Sequence, residues 1–218
     1  MTDIEFDPTE ASAPDDLELP PTLPVLPLKE TVVFPDSATP LAIGQERSIK
    51  LIDDVVARDR LLALVTVKSE DVEQPGWDDL YGVGTAAIVH KLIKVPDGTL
   101  RILVQGVDRI QLEGRIQDDP YLVGEFEPMP DVAEETPELE ALTRNVQMLY
   151  GRIVSLVPYL PPELELAAAN VDDPSALSYL VASTLRLKTE EKQQLLEQAN
   201  VEARLRELSR IMNRELEV

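Results

Sequence analysis

Acids dominate the residue types able to carry chemistry: 41 Asp and Glu stand against 20 Lys and Arg, with one His and no Cys. Without cysteine there is no thiolate nucleophile, zinc–thiolate site or disulfide, which suits a reducing compartment. The single imidazole, His90, lies between Val89 and Lys91 in a strand-like run. A Ser-His-Asp relay or a histidine metal site needs companions that the sequence does not supply, so a structural histidine is expected. The pairs Asp53-Asp54, Asp78-Asp79, Asp118-Asp119, Glu134-Glu135 and Asp172-Asp173 can be drawn as acid/base dyads or calcium ligands. None has the spacing of a calcium-binding loop, and each has a plainer place as helix surface, loop or cap. No glycine precedes a lysine, which excludes a G-x-x-x-x-G-K-[ST] phosphate loop, and no serine sits in G-x-S-x-G. Gly82-Val83-Gly84 is half of a dinucleotide fingerprint, but it leads into a strand pattern where that motif needs a helix. The residues therefore predict no catalytic, cofactor-binding or metal site.

The net charge of −21 argues against generic binding to phosphate backbones and anionic lipid. No apolar run approaches bilayer length, and the opening MTDIEFDPTE is acidic where a secretory leader is basic and then apolar, so a cytoplasmic location is expected. Residues 1–22 hold Asp3, Glu5, Asp7, Glu10, Asp15, Asp16 and Glu18, no Lys or Arg, and Pro8, Pro14, Pro20 and Pro21. That composition predicts a disordered, solvating tail.

Residues 23–130 carry strand signals. In LPVLPLKETVVFP, Leu23, Val25, Leu26 and Leu28 alternate with Pro24 and Pro27, which predicts an edge strand whose prolines block further pairing. TVVFPDS then forms a loop that leaves Phe34 and Pro35 in solvent, and ATPLAIG a second strand. Between Gln45 and Arg58, Ile49, Ile52, Val55 and Val56 make the apolar stripe of a helix. LLALVTV reads as a strand buried on both faces. TAAIVHKLIKV and TLRILVQGV flank Val95-Pro96-Asp97-Gly98, a tight-turn tetrad. RIQLEGRI and YLVGEFEP add two further candidate strands. Trp77, in the polar loop before this hairpin, reads either as a contact residue or as a lid on the sheet. Strands around an early helix, then a meander, predict a small closed or half-closed barrel.

Past PMPDVAEETPE the period is helical, so residues 131–218 form a bundle and the fold class is α+β. Thr136 and Asp173 cap helices that begin with Pro137 and Pro174, PELELAAA makes a short helix ending at Asn170, and Thr189 begins a long final helix. The last helix reaches Val218 without a stop signal, which suggests that the natural chain continues. Its apolar surplus makes self-association plausible.

Three strings carry a family resemblance. LPVLPLKETVVFPDSATPLAIG, DDLYGVGTAAIV and VPDGTLRILVQGVDRI resemble, in order and spacing, the N-terminal domain of the ATP-dependent Lon proteases, and LRLKTEEKQQLLEQANVEARL is similar to the second part of the same region. The departures are Gln45-Glu46-Arg47 after Gly44, where an Arg commonly follows the Gly directly, and Asp36-Ser37-Ala38 in place of a more apolar loop. The resemblance implies a PUA-like β-domain joined to a helical bundle that leads toward ATPase and Ser-Lys protease modules absent from this chain. ATP and magnesium belong to the missing ATPase module. The implied role is binding unfolded or tagged proteins and helping a hexamer assemble, with nucleic acid and membrane as improbable partners. A free-standing adaptor of the same fold is the alternative. Under this implied role the residues expected to meet substrate are Phe34, Pro35, Leu41, Tyr81, Val95, Pro96 and Leu100.

Overall fold

Each apolar run of the first half becomes a strand because its neighbours supply the backbone partners that its burial demands. In the computed structural model, which describes Leu17 to Glu217, the strands are β1 (Thr22–Leu28), β2 (Ala38–Ile43), β3 (Leu61–Thr66), β4 (Val83–Lys94), β5 (Leu100–Gln117) and β6 (Val123–Pro128). Helix α1 (Glu46–Val56) lies between β2 and β3, and a short 3₁₀ turn spans Trp77–Asp79. The six strands form a single sheet ordered β2-β5-β4-β3-β1-β6, with β5 also paired to β6. One edge of β5 is held by β4 through Leu100–Gln111, so β2 and β6 must share the other, at Leu100–Gln105 and Ile110–Gln117. The pairings β5-β4-β3-β1-β6-β5 thus close on themselves.

This topology corrects the reading of the opening strand. β1 is an edge only in part: Thr22–Pro24 pair antiparallel with β6, and Val25–Leu28 pair parallel with β3, which leaves the far side of Pro27 open. Its prolines fall where the ladder changes partner. Val25 N–H donates to Leu122 O on the β6 side at 2.8 Å, so Pro27, two residues on, faces that side past the end of β6. Pro24 faces the β3 side before the β3 pairing begins. Neither position needs a donor. The edge strand is β2, with Pro40 on it.

The 31–37 loop is also corrected. Phe34 is 0% exposed and Pro35 is buried. The Oγ1 atoms of Thr66 and Thr85 donate to the carbonyls of Thr31 and Val33 at 2.7 and 2.6 Å. Asp36 N–H donates to Gly106 O, and Gly106 N–H to Ser37 O. A Cβ on Gly106 would lie 2.2 Å from Phe34 O, so the loop backbone lies directly on the sheet. RIQLEGRI is no separate strand but the second half of β5, which continues along β6 through register shifts between Leu112 and Gly114 and between Arg115 and Gln117. Trp77 is a lid: it is buried, and its Nε1 donates to Asp118 Oδ1 at 2.8 Å.

The core has two parts. One joins Leu26, Leu28, Ile43, Leu51, Ile52 and Val55 of β1, β2 and α1, and the other gathers Leu23, Val25, Leu61, Trp77 and Phe126. Leu17 and Leu19 pack against the second part, and Pro21 O accepts from Phe126 N. The expected tail is corrected there: from Leu17 to Thr22 the chain is bound to the barrel. Residues 1–16 lie outside the described residues.

The chain divides into two compact units, Met1–Pro128 and Met129–Val218. The second holds α2 (Pro137–Leu156), α3 (Glu163–Ala169), α4 (Pro174–Thr184), α5 (Thr189–Glu197) and α6 (Val201–Leu216). The Oγ1 of Thr136 and Oδ2 of Asp173 accept from Leu139 and Ala176 N–H, as their sequence positions predict. The long final helix is corrected: it breaks at Gln198–Asn200. Asn200 Oδ1 caps α6 through Ala203 N–H at 2.9 Å, and Val132 bonds the gap by donating to Ala199 O and accepting from Val201 N–H. No helix among the described residues is long and apolar enough to cross a membrane.

Candidate functional site

Closing the ring through β6 leaves a seam on the same side of the barrel, between the second half of β1 and the edge strand β2. A groove of about 340 Å³ occupies it, with Leu26, Pro27, Leu28, Leu41 and Ile43 among its lining residues. Leu26, Leu28 and Ile43 are buried and Leu41 half-buried, so the groove rests on the main core. Pro27, Pro40 and Pro75 remove backbone donors around it. A chain lying there cannot be held by an unbroken strand ladder, so side-chain contact must provide the attraction. At one end Gln45 precedes α1 in extended conformation, and its amide donates to Glu73 O.

The β4–β5 hairpin forms a second exposed feature. Gly98 takes φ 92°, which favours glycine, and Val95 N–H donates to Thr99 O at 2.9 Å. Thr99 donates to Asp97 Oδ1 from Oγ1 and N, at 2.6 and 2.9 Å, and these bonds hold the Asp97 carboxyl below its ordinary value. Pro96 stands exposed and Val95 half-buried at this tip.

The seven residues expected to meet substrate are not brought together. Leu41 lines the groove, and Val95 and Pro96 sit at the hairpin. Tyr81 is half-buried and anchored through its N–H to Thr66 O. Phe34, Pro35 and Leu100 are buried, which corrects the expectation that they are poorly covered. Sequence reasoning missed Leu26, Leu28 and Ile43 as groove lining, because only strand order places β1 opposite β2.

The polar candidates are local anchors. His90 sits at the register shift between Val89 and Lys91, with Nε2 2.8 Å from Gln105 Oε1. Asp54 accepts from the Tyr121 hydroxyl at 2.7 Å and from Lys50, and these contacts lower its carboxyl pKa, the Tyr121 bond foremost. Asp78 pairs with exposed Arg115, and Asp79 accepts from Gly76 N–H.

A family model described as the ATP-dependent protease La (LON) substrate-binding domain matches residues 22–214. The chain belongs to the Lon family. Lon protease 1 of Herpetosiphon aurantiacus is 40% identical over 92% of this chain, and the Lon protease of Dictyoglomus thermophilum 37% over 92%. The chain spans about a quarter (25%) of the length of these Lon relatives. Among solved structures, the N-terminal domain of the Mycobacterium avium complex Lon protease matches 88% of this chain and 98% of its own, with a TM-score of 0.74 and 25% identity. The Lon N-terminal domain protein from Xanthomonas campestris shares the fold at a TM-score of 0.61 and 21% identity.

Proposed function

We propose that this chain is the polypeptide-binding region of a Lon-type ATP-dependent protease, and that the seam groove with the Pro96 hairpin receives exposed apolar segments of unfolded or tagged proteins. The observation that carries this reading is the groove itself: an apolar floor continuous with the core, edged by prolines that resist strand pairing. Burial of a few apolar side chains in such a groove gives weak, sequence-tolerant attraction, suited to many substrates. Copies arranged in a hexamer multiply that weak contact through effective concentration. ATP, magnesium and the Ser-Lys chemistry belong to other modules of the protein, which works in the cytoplasm. The closed strand pairing supports the PUA-like description of the first unit.

The test is Leu41→Asp in the 218-residue chain, with binding to a permanently unfolded, fluorescently labelled polypeptide as the readout. Affinity is expected to fall about ten-fold, the worth of one buried aliphatic contact, while thermal unfolding shows that the barrel persists. Unchanged affinity in the folded variant removes the groove from the site. Pro96→Asp tests the hairpin in the same way, with a smaller expected loss because Pro96 is exposed.

A further inference from the structure

In a chain of 41 acids and 20 bases, the lining of the seam groove includes no carboxylate and one cation, Lys29. The same character continues across β2 onto the outer face of the sheet. There the register sets Pro40 beside Leu103 and Leu103 beside Lys91; the next pairs set Ala42 beside Arg101 and Arg101 beside Ile93. Cross-strand partners share a face, and residues two apart return to it, so these side chains form one grid. Leu103 is half-buried, the rest are exposed, and Ile93 is 45% exposed. None of the surface ion pairs among the described residues involves Lys29, Lys91 or Arg101. The acids bordering this surface are Glu30, Glu46, Glu73 beside Gln45 and, at the hairpin tip, Asp97, whose carboxylate accepts from Thr99 and also feels the Arg101 charge.

Charges separated by more than about 8 Å are largely screened at physiological salt. The overall −21 therefore acts weakly on a segment seated here, and the charges on the surface itself, Lys29, Lys91 and Arg101, act on it most directly. We propose that this surface is selective: it prefers polypeptide segments whose apolar residues are flanked by Asp or Glu, with Lys91 and Arg101 as the specificity-determining residues. The apolar members of the grid and groove hold the aliphatic part of the segment, while the cations meet its carboxylates. The proposal rests on the polypeptide-binding reading above and adds a substrate class to it.

The experiment uses the 218-residue chain and three labelled peptides that share one Leu-Ile-Phe core flanked by Asp, by Ser or by Lys, with binding measured by fluorescence anisotropy. At low salt the Asp-flanked peptide is expected to bind about ten-fold tighter than the Lys-flanked one, from a few exposed charge pairs, and the difference should collapse at high salt. The double variant Lys91→Glu/Arg101→Glu should reverse the order of the two charged peptides, with the Ser-flanked one between them; Lys91→Gln/Arg101→Gln should flatten it. Equal binding of the charged peptides, or a preference for Lys, overturns the proposal while the polypeptide-binding reading stands. Failure of all three peptides, the Ser-flanked one included, overturns both. If the charge variants change self-association of the chain and not peptide order, the surface is an interface between copies and the proposal falls.

Discussion

Gly106 shows how much of this structure turns on a single atom. With a Cβ, position 106 would clash with the Phe34 carbonyl carbon as well as its oxygen, both backbone atoms that cannot swing aside. Gly106→Ala should therefore lift the 31–37 loop and cost about 1–3 kcal/mol, read as a lowered midpoint in urea. Thr85 is 0% exposed, and its hydroxyl serves the Val33 carbonyl of the same loop. Thr85→Val keeps the shape and leaves that carbonyl unsatisfied, for an expected loss of about 1–2 kcal/mol. A Thr85→Val variant as stable as the parent would show that water replaces the bond.

At the scale of elements, proline placement decides what can pair. β2 is the strand with an unpaired edge, and Pro40 on it removes one donor from the row a neighbouring chain would use. Pro40→Val restores that donor and β-propensity together. The variant is expected to associate more strongly than the parent in sedimentation velocity at matched concentration, and an unchanged profile would mean that the groove's other prolines suffice. In the helical unit, Asn200 turns what reads as one long helix into α5 and α6 by capping the second. Asn200→Ala should cost about 1 kcal/mol, measured as a lower thermal midpoint of the helical signal.

The whole molecule comprises two compact units, and the second is organised around a buried cation. Arg204 is 0% exposed; it donates to Asp131 Oδ1 at 2.6 Å, to Gln198 O and to Ser178 Oγ, and stands 4.7 Å from the Tyr179 ring centroid. Burial alone would raise the Asp131 carboxyl, but bonds from Ser175, Arg204 and Tyr179 and the Arg204 charge outweigh it and hold the group at about 2, below its ordinary 3.8. A carboxyl depressed by folding adds stability that is complete above its unfolded value and is lost as pH falls through the folded one. The helical unit should therefore lose stability between about pH 4 and pH 2. Arg204→Met strands Asp131 among its remaining donors and should cost about 3 kcal/mol at neutral pH, with a shallower loss in acid. Trp77, the sole tryptophan, lies in the first unit, so its fluorescence follows the barrel while ellipticity at the helical band follows mainly the second. The Arg204→Met transition should move in ellipticity and stay in place in fluorescence.

Much of this was legible along the chain because the forces are local. Side-chain period, the prolines after Thr136 and Asp173, and the Pro-Asp-Gly turn act within a few residues, so α1 to α4, the Thr136 and Asp173 caps and the β4–β5 hairpin follow from the sequence, while the break between α5 and α6 does not. Resemblance in three strings named the family for the same reason, since it needs only residues in order. What the tertiary structure decided is everything that depends on which strand lies beside which. Pro24 and Pro27 both read as marks of an edge, but only Pro27 borders an open side, at the seam, because β1 changes partner between them. Phe34 read as exposed and proved buried, because Thr66, Thr85 and Gly106, distant in sequence, satisfy its loop's backbone. Neither the groove nor the acid-free face could be read in order, since each joins side chains that only long-range pairing brings together.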